Sequence, residues 1–336
     1  MDVGASAYRV LLVGEVLKGA SRGLFDGVVL APAGTVCEFS AALEHVRRLH
    51  PDVVVVDLSG PDALKAIERV MAERPVPVVA LHPGVLSGAD AFQALAVGAV
   101  EVVERPAEPG VDFWQAVSRK LMLLAEVRVT RPVQAQKPRH LRPSATDAPY
   151  PLLAIASSLG GPKALAVVLR MLPKNFPAPV CICQHISNGF TEGLAQWLGS
   201  ETPLRVVEAN DGDEMVPGNV YIARSGTHLV VRPKGRLVLD PSPPVRGFRP
   251  SCDVLLTSAA EAFGTRTLGV ILTGMGRDGA RGLKEIRERG GRTIAQDRAT
   301  CAVYGMPKEA VRIGAAEEVL PLEQIAPTLV QWVETC

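Results

Sequence analysis

Short runs of β-branched and aliphatic residues alternate with helix-length amphipathic stretches, and this alternation occurs twice, on either side of a proline-rich break. Strands alternating with helices predict two α/β domains, the first a parallel sheet with helices on both faces and the second a further β/α series. In the first series strands are expected at 9–13, 52–57, 76–81 and 100–103. Helices such as 38–49 and 62–72 separate them, and a helix at 114–127 closes the series. Residues 128–149 then hold Arg131, Pro132, Lys137, Pro138, Arg139, Arg142, Pro143 and Pro149 without apolar periodicity, the mark of a semi-rigid basic linker. The second series has strands at 152–157, 178–183, 204–207, 220–223, 268–273 and 292–295, with helices at 162–171, 190–198, 252–263, 279–289, 307–313 and 321–334. An antiparallel hairpin, 228–232 with 236–240, is inserted around Pro233-Lys234-Gly235. The expected division is a domain at 1–127, a linker at 128–149 and a second domain at 150–336.

Composition narrows the function classes. Lys plus Arg number 36 and Asp plus Glu 35, so no net field draws nucleic acid or an anionic membrane. The basic linker has no aromatic residues on which bases could stack, which again argues against a nucleic-acid partner. No apolar run approaches the roughly 18 residues a membrane-spanning helix needs, and the N-terminus lacks a signal-peptide core, so a soluble cytoplasmic protein without membrane insertion is expected. The six cysteines, Cys37, Cys181, Cys183, Cys252, Cys301 and Cys336, include no C-x-x-C pair. They are expected to be buried thiols rather than a zinc ribbon.

Three residues lie beside glycine or at the end of an apolar run. Ser158 lies in LLAIASSLGG (152–161), close to the G-x-S-x-G turn that exposes a nucleophile, with Ala156 in place of the first glycine. Gly160 and Gly161 let backbone approach a substrate, and the helix opening near Pro162 points N–H groups toward an oxyanion. His185 closes APVCICQH (178–185), and Asp278 lies in LGVILTGMGRDG (268–279). His228 opens the hairpin and is a candidate for lining the site. Taken singly, each residue has a plain alternative: a helix cap, a surface imidazole, a glycine-rich turn. A further rival is a dinucleotide-binding loop, Gly274-x-Gly276-x-x-Gly279, with Asp297 about 20 residues beyond.

Together the motifs resemble a known family. Residues 157–161, Gln184-His185 with Gly189-Phe190-Thr191, Tyr221-Ile222-Ala223, Arg249-Pro250-Ser251, residues 273–279, and Ala295-Gln296-Asp297 with Tyr304-Gly305-Met306-Pro307 resemble the chemotaxis protein-glutamate methylesterase (CheB) family across 150–336. The resemblance implies a catalytic domain built on a doubly wound, Rossmann-like parallel sheet, with Ser158, His185 and Asp278 as its triad and no cofactor for catalysis. Backbone N–H groups near Leu159 and Met275 would hold the oxyanion. The implied reaction is hydrolysis of glutamyl methyl esters on chemoreceptor signalling helices, and in some members deamidation of receptor glutamines. Leu159 stands where a threonine usually follows the nucleophile.

In that family a phosphorylatable receiver domain of flavodoxin type covers the active site, and residues 1–125 resemble one in layout. Asp57, with Pro61 four residues on, occupies the phosphoacceptor position, and a chemosensory histidine kinase is the implied partner. The surrounding positions depart from the pattern. Gly14-Glu15 replaces the acid pair that helps hold Mg²⁺, leaving Glu15 and Asp57 as the remaining carboxylates. His82 stands at the usual Ser/Thr, and Arg105 at the lysine before proline. Two readings follow: phosphorylation in an unusual pocket, or a pseudo-receiver that docks or gates without it. The substitutions favour the second.

Overall fold

Each series of strands builds its own all-parallel sheet in the computed structural model, which describes residues 8–15, 17, 30–84, 88–125, 150–186 and 189–335. The chain divides into two compact units, Met1–Val133 and Gln134–Cys336. The break falls within the expected linker, 128–149, most of which lies outside the described residues.

In the first unit, β1 (Tyr8–Val13), β2 (Leu30–Val36), β3 (Val53–Asp57), β4 (Val78–Pro83) and β5 (Glu101–Arg105) lie in the order β2-β1-β3-β4-β5. This is the flavodoxin-type order expected of a receiver. Every residue of β3, VVVVD, is buried, as a central strand covered on both faces demands. The helices are α1 (Ala42–Leu49), α2 (Ala63–Glu73), α3 (Gly88–Ala96) and α4 (Val111–Ala125). α2 buries Ala63, Ala66, Ile67, Val70 and Met71, one face at helical spacing. β2 and α3 are additions to the expected elements. β2 reads LAPAGTV, and its proline and glycine break the strand pattern. It is nonetheless tolerated at a sheet edge, where its register against β1 shifts between Val10 and Leu11. Asp57 ends β3 and Gly14 follows β1, so both lie where strand order reverses.

The second unit has a seven-stranded sheet in the order β14-β13-β12-β6-β7-β9-β8. Its strands are β6 (Leu152–Ser157), β7 (Val180–Gln184), β8 (Arg205–Glu208), β9 (Asn219–Ile222), β12 (Thr267–Ile271), β13 (Arg292–Gln296) and β14 (Glu318–Leu320). The hairpin forms as expected, β10 (His228–Arg232) against β11 (Arg236–Asp240), as a separate two-stranded sheet. Leu229, Val231 and Leu237 anchor it in the core with Leu152, Cys181, Leu255 and Ile271. The helices are α5 (Gly161–Met171), α6 (Thr191–Glu201), α7 (Cys252–Phe263), α8 (Ala280–Glu288), α9 (Met306–Arg312) and α10 (Leu322–Thr335). The sheet runs outward from β6 in one direction through β7 and in the other through β12. The switch point is therefore the β6/β12 boundary, where open α/β sheets place their ligands.

Candidate active site

Ser158, His185 and Asp278 converge at that boundary. β6 and β7 are paired through Ser157 and Gln184, so Ser158 and His185 are the next residues on neighbouring strands. The His185 N–H donates to the Ser157 carbonyl at 3.0 Å. Gln184 fixes both backbones: its Oε1 accepts from Ser157 Oγ at 2.7 Å, while its Nε2 donates to the carbonyls of Ser158 (2.8 Å) and His185 (2.7 Å). On the other side of the switch point, the Ser158 N–H donates to the Thr273 carbonyl at 3.0 Å.

His185 Nε2 donates to Asp278 Oδ2 at 2.9 Å. Asp278 is 2 % exposed and also accepts from Ser251 Oγ (2.9 Å) and the N–H groups of Cys252 (2.7 Å) and Asp253 (3.1 Å). Burial alone would raise its carboxyl pKa, but the His185 contact and these N–H donors outweigh burial and hold it below the ordinary carboxylate value. For His185, burial works against the imidazolium, yet neighbouring Cys252 and Asp278 raise its pKa above an ordinary imidazole. Cys252 is itself kept protonated by burial, so Asp278 is the partner that carries charge. The ring stacks on Phe248 with centroids 4.1 Å apart and planes 5° from parallel. With Nε2 committed to Asp278, Nδ1 carries the free lone pair; it is buried and has no hydrogen-bond partner among the described residues. A nitrogen held in this tautomer can take a proton from a nearby hydroxyl. It does not hold the Ser158 hydroxyl in this structure, and in ligand-free hydrolases that contact commonly tightens only with substrate.

The remaining expected residues divide. Gly160 takes φ +75°, and a Cβ there would lie 2.5 Å from Ala302 Cβ. A Cβ at Gly161 would lie 2.0 Å from Gln184 Oε1, so these glycines let α5 start directly beneath the serine. Among the described residues, the N–H groups of Leu159 and Met275 make no hydrogen bond, as oxyanion donors require. The Leu159 side chain is buried, and that of Met275 is 45 % exposed. His228 departs from expectation. It is 1 % exposed, its Nδ1 accepts from the Ser251 N–H (3.1 Å) and its Nε2 donates to the Pro243 carbonyl (3.2 Å). It braces the loop carrying Ser251 rather than lining the site.

The glycine-rich loop is committed to scaffolding, and the dinucleotide alternative is not supported. A Cβ at Gly274 would lie 2.7 Å from Ser158 Cβ and 2.4 Å from Met306 Sδ, so this turn backs the serine. The Gly279 N–H donates to Asp253 Oδ1 (2.9 Å). Asp297, the residue a ribose would need, accepts from Thr300 N (2.9 Å) and Oγ1 (2.6 Å) in its own turn. Sequence reasoning gave no role to Gln184, Phe248, Ser251 or Thr273. Three of these lie inside the matched motifs, whereas Phe248 carried no local signal.

In the first unit, Asp57 is 1 % exposed and its Oδ2 accepts from Arg105 Nε at 2.9 Å, a pair buried on both sides. Its Oδ1 accepts from the Ser59 N–H at 2.8 Å. A Cβ at Gly14 would lie 2.8 Å from Asp57 Cβ, and Glu15 is exposed. Mg²⁺ needs several oxygen ligands in near-octahedral array. Among the described residues, a carboxylate held by a guanidinium, beside a glycine, does not offer them, so these residues do not fit this ion.

The fold and site of the second unit define a class: an α/β hydrolytic enzyme with a histidine–carboxylate pair beside a serine at the sheet's switch point. Residues 153–329 match the family CheB methylesterase. Protein-glutamate methylesterase FrzG of Myxococcus xanthus is 65% identical over 333 residues, covering 98% of this chain and 100% of that protein. Protein-glutamate methylesterase/protein-glutamine glutaminase 2 of Anaeromyxobacter dehalogenans is 46% identical over 318 residues, 92% of each chain. The crystal structure of the Thermotoga maritima CheB methylesterase catalytic domain aligns with a TM-score of 0.54 at 42% identity, covering 55% of this chain and 100% of that one. The chain belongs to the CheB methylesterase family.

Proposed function

We propose that the chain hydrolyses γ-methyl esters of glutamyl side chains on methylated chemoreceptor signalling helices, with Ser158 as nucleophile. His185 Nδ1 takes the hydroxyl proton as Ser158 Oγ attacks the ester carbonyl, and the Leu159 and Met275 N–H groups receive the oxyanion. His185 then protonates departing methoxide and activates the water that releases the glutamate, while Asp278 holds its tautomer. This route needs no cofactor. Amide hydrolysis of receptor glutamines follows the same course with ammonia leaving, as the names of several relatives suggest. The observation that carries the reading is the His185 ring: one nitrogen fixed on a buried carboxylate, the other free, one residue past a strand pair from Ser158. Methanol release from methylated receptor membranes tests it. We expect Ser158→Ala to lose activity by at least about 10³-fold; equal rates in the two proteins would overturn the mechanism.

For the first unit we infer docking or gating without phosphoryl transfer, so a histidine kinase of the pathway would meet it as a binding partner only. The Arg105 pair supports this, because phosphorylation needs the Asp57 oxygen that Arg105 holds. With a small-molecule phosphodonor and Mg²⁺ we expect no stable label; robust label that Asp57→Asn removes would refute it.

A further inference from the structure

The six cysteines have no metal-site spacing in sequence, yet folding brings two of them to the imidazole. Cys183 lies on β7 and Cys252 opens α7, 69 residues later. The Sγ atoms of both and a ring nitrogen of His185 lie within 4.8 Å of one another. Cys252 Sγ is 3.5 Å from His185 Nε2. Tetrahedral zinc, with Zn–S about 2.3 Å and Zn–N about 2.0–2.1 Å, sets sulfur and nitrogen ligands about 3.6 Å apart. The pair therefore already stands at ligand separation. Asp278 Oδ2, 2.9 Å from the same nitrogen, lies beside the cluster.

We propose that Cys183, Cys252 and His185 form a thiophilic divalent-cation site of zinc type, and that its occupation switches the esterase off. The inhibitory half rests on the role given to His185 above; the binding half does not. On binding, each thiol gives its proton to solvent as its metal–sulfur bond forms. The metal takes the Nε2 lone pair, and the ring proton moves from Nε2 to Nδ1. No electron is transferred. Nδ1 then carries hydrogen and cannot accept the Ser158 proton. Cys183 and Cys252 are both 0% exposed, while the His185 side chain is 10% exposed.

Cobalt(II) added to the reduced, metal-free full-length protein gives a direct reading, through thiolate-to-cobalt charge-transfer absorption. We expect that band in the native protein and in Ser158→Ala, and its loss in Cys183→Ser and Cys183→Ala. We also expect zinc to inhibit methanol release reversibly, with chelator restoring the rate. Cys183→Ser should keep the metal-free rate, because its side chain takes no part in the reaction. Deleting a ligand should raise the inhibitory zinc concentration by more than the roughly 10–100-fold that outer-shell partners control. Absence of the band, its persistence in both Cys183 variants, or equal zinc inhibition of native protein and Cys183→Ser would overturn the site. Because the band needs no turnover, failure of the esterase mechanism leaves this result readable.

Discussion

At the scale of single residues, His185 and Asp278 make the sharpest predictions. In the mechanism proposed above the neutral imidazole is the base, so the rate should fall as pH drops through the His185 pKa. Asp278 raises that pKa, so the acid limb of kcat/KM should lie above the ordinary imidazole value of 6.5. Asp278→Asn should move the limb back toward 6.5 and lower kcat by about 10⁴-fold, as wrong-tautomer variants of such triads do. A pH–rate profile of the two proteins checks both effects. Gly274→Ala places a methyl group 2.7 Å from Ser158 Cβ. A nucleophile displaced by about 1 Å should cost about 10²-fold in kcat. A larger loss of folding than of kcat would show that the turn is a packing element only. Ser158, His185 and Asp278 were legible in the sequence because each closes an apolar run or sits beside glycine. Phe248 was not, since its stack on His185 joins residues 63 positions apart. His228 misled because a histidine opening a hairpin looks the same whether it faces a cleft or a backbone.

At the scale of elements, strands with unbroken apolar runs, such as β3 (four valines before Asp57) and β6 (LLAIA before Ser157), could be read directly. β2, α3 and β14 could not. β2 mixes proline and glycine and holds its place through pairing with β1 rather than through its own propensity, while β14 has only 3 residues. The β10–β11 hairpin, visible from its turn, does more than its sequence suggests. Leu237 is fully buried in the catalytic unit's core, and the Val231 N–H donates to Ser258 Oγ of α7 at 3.0 Å. α7 in turn begins at Cys252, whose N–H binds Asp278. Leu237→Ala should therefore destabilise the second unit by about 2–5 kcal/mol. Urea unfolding checks this; a change under 1 kcal/mol would mean the hairpin is merely attached to the core.

At the scale of the whole molecule, two sheets of similar plan keep their special aspartates at comparable places, the crevice where strand order reverses, but in opposite conditions. Asp278 is surrounded by donors and directs an imidazole, whereas Asp57 is closed by Arg105. Arg105→Ala should cost the first unit about 3–5 kcal/mol by leaving a buried carboxylate unpaired. The double change Asp57→Asn with Arg105→Met should recover much of that loss in thermal unfolding. Esterase activity of the full-length chain should not respond to a phosphodonor with Mg²⁺; stimulation that Asp57→Asn abolishes would restore the phosphorylated receiver. The doubly wound sheet also orders events in time. Because β12 lies beside β6 in space but far from it along the chain, Asp278 is synthesised 93 residues after His185. At about 5–20 residues per second, that gap lasts roughly 5–20 s. A nascent chain on the ribosome thus carries its serine and histidine for seconds without the acid that aligns them, and the esterase is born inactive.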